Sequence, residues 1–243
     1  MGIMEGSPEV RRDGLRLRFD SIASRTAYQA AAEHLRTVIL ESDLRPGESL
    51  PSERDLCEQL GVGRSTVREA LRQLHAEGLI EPRGRTSPMR ITDPSGRLRQ
   101  SVEYVARLRG LTLAQLLDVR RALESRALEL AAMVPDAECL AVARTILLSM
   151  EDPGLSAEAF CDADAAFHQA MVAASGHPLF ASLTEGVRSA MRDPLLEQHG
   201  KRILPARARL VREHERLLNA VERGESDRVA DLLADHLEGF YGP

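Results

Sequence analysis

The stretch that decides the fold of this chain is residues 61–71, which read GVGRSTVREAL. Its two glycines are typical of a turn, and the apolar residues Val67, Ala70 and Leu71 then recur at helical spacing. The polar residues of the same helix fall on the opposite face: Arg64, Ser65, Thr66, Arg68 and Arg72. A helix of this kind can offer its polar side chains to the major groove of DNA.

A shorter helix is predicted just before this turn. Ser52 is placed to cap it, and Asp55 follows three positions later, as in a capping box. Gly61 is a good residue to end it, and Ser65 or a neighbour is placed to cap the helix that follows. The two helices therefore predict a helix-turn-helix.

Further elements flank this pair on both sides. Upstream, an apolar stripe at helical spacing ends at Arg45-Pro46-Gly47. Downstream, Leu79–Ile80 and Met89–Ile91 have the character of short strands around the polar tip Arg83-Gly84-Arg85-Thr86. The stripe consists of Tyr28, Ala31, Ala32, Leu35, Val38 and Ile39. Residues 26–92 are therefore predicted to form a winged helix-turn-helix, a small α+β domain.

Charge placement bears on whether this domain binds DNA. The whole chain has a formal net charge of -5, and residues 24–93 hold ten arginines against eleven acidic residues. Residues 61–90, by contrast, hold six arginines against three acidic residues. Positive charge is thus concentrated where phosphate would be contacted. The alternative is a solvated arginine face with no DNA partner.

The remainder of the chain changes character. Residues 1–25 are predicted to be a flexible tail with a strand signal at Leu15–Phe19, and residues 93–97 a linker. Within residues 98–243, helical periods cover 98–109, 112–132, 136–150, 156–175, 178–192, 205–223 and 225–240. Prolines stand at or near their boundaries: Pro135, Pro153, Pro178 and Pro205. We predict a mainly α protein, with an antiparallel all-α helical bundle following the winged helix.

Composition excludes several classes of protein. With 43% hydrophobic and 28% charged residues the chain has an ordinary globular composition, and no apolar run approaches the length of a membrane span. The N-terminus lacks the apolar segment of a signal peptide. Three cysteines without a CxxC pair fit a reducing compartment, in which we expect them to be core thiols: Cys57, Cys139 and Cys161. The predicted location is the cytoplasm.

Histidines in the predicted bundle suggest a metal site. Asp164 and His168 are four positions apart and so share one helix face. His214 and His236 lie on the last two predicted helices, which a short turn at Gly224 should make antiparallel neighbours. One carboxylate and three imidazoles could then converge. Each residue alone is more often a surface or satisfied core residue.

Residues 26–92 resemble the GntR superfamily of bacterial regulators. The matching segments are Leu44–Gly47, Leu50–Arg54, Gly61–Leu71 and Glu77–Ile80. The resemblance implies that Arg54 and the stretch Arg64, Ser65, Thr66 and Arg68 contact DNA backbone and bases. It also implies that Arg83, Gly84 and Arg85 enter the minor groove. Arg64 and Arg68 are our candidates for reading guanine, because an arginine fork matches its N7 and O6 acceptors; the alternative is phosphate contact without sequence choice.

Residues 98–240 resemble the FCD sensor domain of the FadR-like branch. The matching segments are Leu116–Glu124, Asp164–His168, Ser175-Gly176, Glu213-His214 and His236-Leu237. In most members of that family an Asp and three His bind a divalent cation, and members that sense fatty acyl groups lack the set. The resemblance therefore implies Asp164, His168, His214 and His236 as metal ligands, with zinc first and nickel, manganese or iron as other candidates.

The same resemblance implies an effector. Open metal positions would chelate a small carboxylate or hydroxy acid, and Arg120 matches the arginine that often neutralises its carboxylate. The alternative for Arg120 is an i, i+4 ion pair with Glu124, and Arg188 is a weaker effector candidate. His177 stands where the family usually has asparagine; it is either a poor helix cap or a change at the pocket rim.

The predicted function is a homodimeric regulator, a repressor, on a palindromic double-stranded DNA operator, released when the effector binds. One alternative keeps DNA binding but makes the metal purely structural. The other is a metal-dependent enzyme, since histidines with a carboxylate also build catalytic sites. No nucleophile or separate general base stands out near Asp164–His168, and an enzyme would leave the winged helix unexplained. We therefore predict that the protein is not an enzyme.

Overall fold

Helices dominate the computed structural model, which describes residues 10–12, 15–17, 26–84 and 88–241. The described residues form two units that divide between Asp93 and Pro94. The first unit contains β1 (Val10–Arg12), β2 (Leu15–Leu17), α1 (Ala27–Glu41), α2 (Glu53–Leu60), α3 (Arg64–Glu77), β3 (Ile80–Pro82) and β4 (Met89–Ile91). The second contains α4 (Ser95–Arg109), α5 (Leu113–Met133), α6 (Ala137–Ser149), α7 (Ala157–Ala173), α8 (Pro178–Glu222) and α9 (Ser226–Tyr241). The predicted fold class is confirmed.

The first unit is a helix-turn-helix with a hairpin wing. Ser52 caps α2 by accepting a hydrogen bond from the Asp55 backbone N–H, and its hydroxyl donates to the Asp55 carboxylate at 2.7 Å. Gly61 ends α2 in the left-handed conformation, with φ of 64°. The prediction placed the cap of α3 at Ser65 or a neighbour, and the structure places it two positions earlier, at Gly63. This cap makes no side-chain hydrogen bond, so the turn itself sets where α3 begins.

Apolar faces of α1, α2 and α3 pack with the hairpin into one core. It is formed mainly by Ala32, Leu35, Leu56, Val67, Ala70, Leu74, Ile80 and Ile91. β3 pairs antiparallel with β4, with Ile80 opposite Ile91, and these two side chains face the core. Val38, which the stripe on α1 placed inside, is 45% exposed because it lies at the edge of the buried face.

Gly61→Ala should lower the free energy of unfolding by about 1 kcal/mol, because an L side chain is strained at positive φ. No atom lies within 4 Å of the added Cβ, so the cost is one of backbone conformation alone. Gly200→Ala is the matched control, since Gly200 lies inside α8 and also has open space around it. In a helix interior alanine should stabilise by about 0.5 to 1 kcal/mol. Urea unfolding followed by circular dichroism measures both effects, and equal signs would contradict this assignment.

The second unit is a bundle built around one long helix. α8 spans 45 residues, about 68 Å at 1.5 Å per residue. The prediction of two separate helices, at 178–192 and 205–223, is wrong. The structure has one continuous helix over this range, and Pro194 and Pro205 lie inside it. Each proline removes one backbone hydrogen bond, but α8 packs against α4, α5, α7 and α9, and this packing outweighs the loss.

Smaller differences concern the prolines, cysteines and the tail. Pro178 does begin α8, and His177 caps it by accepting from the Phe180 N–H at 3.4 Å. Cys161 is buried as predicted, whereas Cys57 and Cys139 are only partly buried. Of the predicted tail, β1 and β2 form an antiparallel pair, and Arg18 and Phe19 of the strand signal lie outside the described residues. No helix in the described part of the chain is long and apolar enough to cross a membrane.

Candidate metal centre and nucleic-acid interface

Three helices bring the predicted metal ligands to one place. Asp164 and His168 project from one face of α7, His214 from α8 and His236 from α9. All four residues are buried, and one ligand atom of each lies within 4.8 Å of the others. The sequence alone could not show whether residues on separate helices come together. In the fold these four side chains do come together.

The spacing of these atoms suits a metal ion. Nε2 of His214 lies 3.1 Å from Oδ1 of Asp164 and 3.2 Å from Nε2 of both His168 and His236. Nε2 of His168 lies 3.9 Å from the same oxygen of Asp164. Bonds of about 2.1 Å would separate neighbouring ligand atoms by about 3.0 Å at 90° and about 3.4 Å at the tetrahedral angle. The donor set thus fits a first-row divalent ion.

Two glutamates contact the Nδ1 atoms of two of the imidazoles, on the side of each ring away from the ligand cluster. Oε2 of Glu124 lies 2.9 Å from Nδ1 of His168, and Oε2 of Glu213 lies 2.9 Å from Nδ1 of His236. The Glu213 contact is a hydrogen bond, whereas the Glu124 contact has the distance but not the geometry of one. A carboxylate at Nδ1 favours the proton on that nitrogen and leaves the Nε2 lone pair facing the other ligands. The Nε2 atom of His214 lies beside the Nε2 atoms of His168 and His236. It carries at most one proton, so it can donate a hydrogen bond to only one of these two neighbours. A cation would satisfy all three nitrogens at once.

The buried groups are in the protonation states that a metal ion requires. Burial lowers the pKa of His168 well below its usual range and that of His236 to about 4, so both rings are neutral near pH 7. Burial by itself would raise the pKa of Asp164, but the Arg188 charge and a hydrogen bond with His214 hold it well below the usual range. Metal binding near neutral pH therefore displaces no proton from these three groups.

Two arginines balance the buried carboxylates. Arg188 donates from Nη2 to Oδ2 of Asp164 at 2.5 Å and from Nη1 to Oε1 of Glu124 at 3.1 Å. Arg120 donates from Nε to the same Glu124 oxygen at 2.9 Å, so the i, i+4 ion pair weighed as an alternative is present. Against the penalty of burial, the charges of Arg120 and Arg188 keep the pKa of Glu124 well below its usual range. The two positive and two negative charges cancel.

A cavity of about 300 Å³ opens beside this cluster. Asp164, Arg120 and Arg188 line its inner end, so Arg120 both pairs with Glu124 and faces the cavity. Its lining residues come mainly from α7 and α8, with Arg99 from α4 and Arg120 from α5, and His177 is not among them. A small molecule in this cavity would meet a carboxylate of the candidate metal centre and both arginines.

Several residues of this site were not predicted. The sequence gives no signal that Glu124 contacts His168, because the two lie on different helices and Glu124 already has a local partner in Arg120. Glu213 adjoins His214 in sequence but contacts His236 instead. Gln169, next to His168, lines the cavity.

Four of the candidate nucleic-acid residues lie around one cleft of the first unit. Ser65 and the arginines of α2 and α3 are exposed, and Thr66 is half-buried. Arg54, Arg64, Arg68 and Gly84 line a single open cleft of about 740 Å³ between α2, α3 and the hairpin. Arg83 is exposed beside Gly84, whereas Arg85 lies outside the described residues.

Ion pairs distinguish these arginines. Arg68 Nε lies 2.9 Å from Oε2 of Glu53, and Arg54 lies 3.8 Å from Asp55 and Glu58. Within residues 26–84 and 88–241, no carboxylate forms an ion pair with Arg64. Arg64 is therefore the cation on α3 that can meet phosphate or a base edge without first breaking an ion pair.

Known proteins match both units. A family model described as "Bacterial regulatory proteins, gntR family" matches residues 27–87, and a model of the FCD domain matches residues 115–239. Together the two models cover most of the chain, and each matches within one of the two units.

Curated relatives match over nearly the whole chain. The HTH-type transcriptional regulator LutR of Bacillus subtilis (strain 168) is 31% identical over 206 residues, which are 82% of this chain and 93% of LutR. The Glc operon transcriptional activator of Escherichia coli (strain K12) is 30% identical over 209 residues, 81% of this chain and 80% of the relative. The HTH-type transcriptional repressor NanR of Edwardsiella tarda (strain FL6-60) is 26% identical over 245 residues, 94% of this chain and 89% of NanR.

Among solved structures, a Streptococcus agalactiae GntR protein superposes with a TM-score of 0.63 at 23% identity. The match covers 86% of this chain and 96% of that one, and at this identity it supports the fold alone.

Proposed function

This chain belongs to the gntR family of bacterial regulatory proteins and carries an FCD domain, so it is a DNA-binding transcription regulator; we propose that a small carboxylate bound at a metal ion controls its affinity for DNA. The families and relatives are transcription regulators, which are not enzymes. The proposal rests mainly on Asp164, because this residue belongs to the buried ligand cluster and also lines the cavity.

Asp164, His168, His214 and His236 would hold the metal ion, zinc in the first instance, with nickel, manganese or iron as other occupants. A bound divalent ion supplies open coordination positions for carboxylate and hydroxyl oxygens. Glu124 and Glu213 would keep the imidazoles of His168 and His236 in the ligating tautomer. These roles agree with the neutral rings and the ionised Asp164.

Charge at the inner end of the cavity favours an anionic effector. Arg120 and Arg188 balance Glu124 and Asp164, and imidazoles bind a metal ion in their neutral form, so a divalent ion would bring two uncompensated positive charges. Positive charge in a poorly solvated site is stabilised by an anion. We therefore propose a small carboxylate or hydroxy acid, with Arg120 and Arg188 lining its binding site.

On the DNA side, α3 would enter the major groove of a palindromic operator, with the protein acting as a homodimer. Arg54, Arg64, Ser65, Thr66 and Arg68 would contact backbone and bases, and Arg83, Gly84 and Arg85 the minor groove. Without effector the dimer would occupy the operator as a repressor. The effector would favour a state with lower operator affinity, because it binds that state more tightly.

A purely structural metal is the main alternative for the second unit. A cavity that reaches Asp164 favours the sensory role, because a structural ion needs no access for a ligand. Native mass spectrometry with metal analysis, on protein purified without a histidine-tag metal column, tests the proposal. We expect a dimer with about one divalent ion per subunit. A metal-free monomer that takes up no added zinc would contradict it.

Arg64→Ala should weaken binding to operator DNA by about 1 to 3 kcal/mol, roughly 5- to 150-fold, because this guanidinium has no competing ion pair. Fluorescence anisotropy at one fixed salt concentration measures the effect. Arg126→Ala is the matched control: it removes one positive charge from α5, where Arg126 pairs with Glu129. We expect the control to bind DNA as the unsubstituted protein does. Equal affinities for both variants would argue against contact by Arg64.

A further inference from the structure

The cleft between α2, α3 and the hairpin carries an excess of positive charge. Its lining includes four arginines: Arg54, Arg64, Arg68 and Arg72. Among the described residues that line it, Glu53 is the one acid, and this carboxylate is already paired with Arg68. Four guanidinium groups and one carboxylate therefore surround a space of about 740 Å³. Such a concave basic surface attracts an anion.

Arg72 extends the basic face of α3 well beyond the start of the helix. Arg64, Arg68 and Arg72 are four positions apart, so they lie on one face over two turns. At 1.5 Å per residue, Arg72 is about 12 Å along the helix from Arg64. His75, one turn further, donates from Nδ1 to the carbonyl oxygen of Ile80, the first residue of β3, at 2.9 Å. Arg72 thus lies where α3 approaches the base of the hairpin.

The wall that the hairpin contributes to this cleft is uncharged. Its described lining residues are Pro82, Gly84, Pro88 and Met89. Apolar side chains of this kind can pack against the carbon atoms of a sugar ring, whereas guanidinium groups bind phosphate. The two walls together therefore suit the alternating sugar and phosphate groups of a DNA strand.

The shape of B-DNA indicates which strand this would be. One sugar-phosphate strand separates a major groove from the neighbouring minor groove. With α3 in the major groove and the hairpin tip in the minor groove, that strand has to pass between α3 and the hairpin. The N-terminal residues of a recognition helix reach the base edges. The turn of α3 that carries Arg72 then lies beside the strand.

Arg72 can exchange its present partner for a phosphate at little cost. Its Nη1 bonds to Glu69, but the two side chains are 73% and 50% exposed. Ion pairs as exposed as this contribute little to stability. Glu69 is not among the residues that line the cleft, so it does not take the place of a phosphate there.

We propose that the cleft holds the DNA strand that separates the two grooves, and that Arg72 contacts one of its phosphates. The hairpin wall contacts the neighbouring sugars. This inference rests on the proposed function, because it assumes that α3 lies in the major groove and the hairpin tip in the minor groove. A phosphate contact carries no sequence information, so Arg72 contributes equally to the binding of every duplex.

Salt-dependent DNA binding by the full-length protein tests the contact. Fluorescence anisotropy would follow two duplexes of equal length, the tightest DNA selected from a random pool and a scrambled version, between about 50 and 200 mM salt. Arg72→Gln should weaken both by the same factor, about fivefold or more near 0.1 M salt. The slope of log affinity against log salt should become less steep by about 0.9 for each bound subunit. Arg72→Lys should keep the slope, because it keeps the charge.

Arg36→Gln is the matched control in the same unit. It removes one positive charge from α1, where Arg36 pairs with Glu33 and Glu77 and does not line the cleft. We expect its salt slope to equal that of the unsubstituted protein. Circular dichroism checks that all variants are folded, as the exposure of Arg72 leads us to expect.

A second measurement locates the phosphate. Each phosphate of the selected duplex is replaced in turn by an uncharged methylphosphonate. At one or more positions the replacement should weaken binding by the unsubstituted protein and have no further effect on Arg72→Gln, which has already lost that contact. If every replacement affects both proteins equally, Arg72 has no phosphate partner and the inference is wrong.

The possible failures can be told apart. A loss confined to the selected duplex would mean that Arg72 reads a base, and an unchanged salt slope would mean that it contacts no phosphate; either result overturns the inference. If Arg64→Ala weakens DNA binding and Arg72→Gln does not, the inference alone fails. If neither variant weakens DNA binding, the proposed placement of α3 on DNA fails and the inference fails with it.

Discussion

His214→Ala should lower the affinity for a divalent ion by at least about 100-fold, since loss of even an outer partner of a ligand costs about 10- to 100-fold. The Nε2 atom of His214 is the centre of the cluster, within 3.2 Å of three other ligand atoms. Competition with a chromophoric chelator measures the affinity. Because the protein core lies largely outside this cluster, we expect the helical circular dichroism of the variant to be retained.

His199→Ala is the matched control on the same helix. His199 lies outside the ligand cluster, beside Arg202, and its loss should leave metal affinity unchanged. Chelation of the unsubstituted protein should have the same consequence as His214→Ala, a folded protein that no longer responds to acids. Unfolding on metal removal would instead favour the purely structural metal.

Arg188→Met is expected to have the largest effect on stability. Its side chain is 7% exposed and its guanidinium bonds to both Asp164 and Glu124, so its loss leaves two buried carboxylates with less compensation. Breaking a buried pair from one side costs about 3 to 5 kcal/mol. Urea unfolding in the presence of a chelator measures this loss. With zinc present the loss should be smaller, because the ion then compensates Asp164.

Arg192→Met is the control one helical turn away. Arg192 pairs with the exposed Asp162, and such a surface pair contributes only about 0 to 1 kcal/mol. A large loss for Arg192→Met, or a loss for Arg188→Met that zinc does not reduce, would contradict the placement of Arg188 beside the metal centre.

Local sequence signals predicted the first unit well. Ser52 and Gly61 mark the ends of α2 because each acts within one turn of its own position, and the same holds for the apolar face of α3. The signal failed at Pro194 and Pro205, where residues distant in sequence pack against α8 and maintain the helix. The local sequence around the two prolines does not indicate this packing.

In the second unit, too, local signals predicted some residues of the site, and contacts between distant residues could not be predicted. The i, i+4 spacing of Asp164 and His168 and the resemblance to the FCD domain were enough to name four candidate ligands, which the fold brings together. The partners behind them could not be named, because Glu124 reaches His168 only through the packing of α5 against α7. That Gln169 lines the cavity is likewise a property of the fold.

The central claim is that the metal centre couples an acid to DNA binding, and one titration tests it directly. Fluorescence anisotropy would follow binding to the tightest DNA that the protein selects from a random pool, with zinc and increasing amounts of the best-bound hydroxy acid. We expect the acid to weaken DNA affinity by about tenfold or more in the zinc-loaded protein, within the usual range of coupling, and to have no effect on His214→Ala. DNA affinity that is the same with and without the acid, in both proteins, would contradict the account.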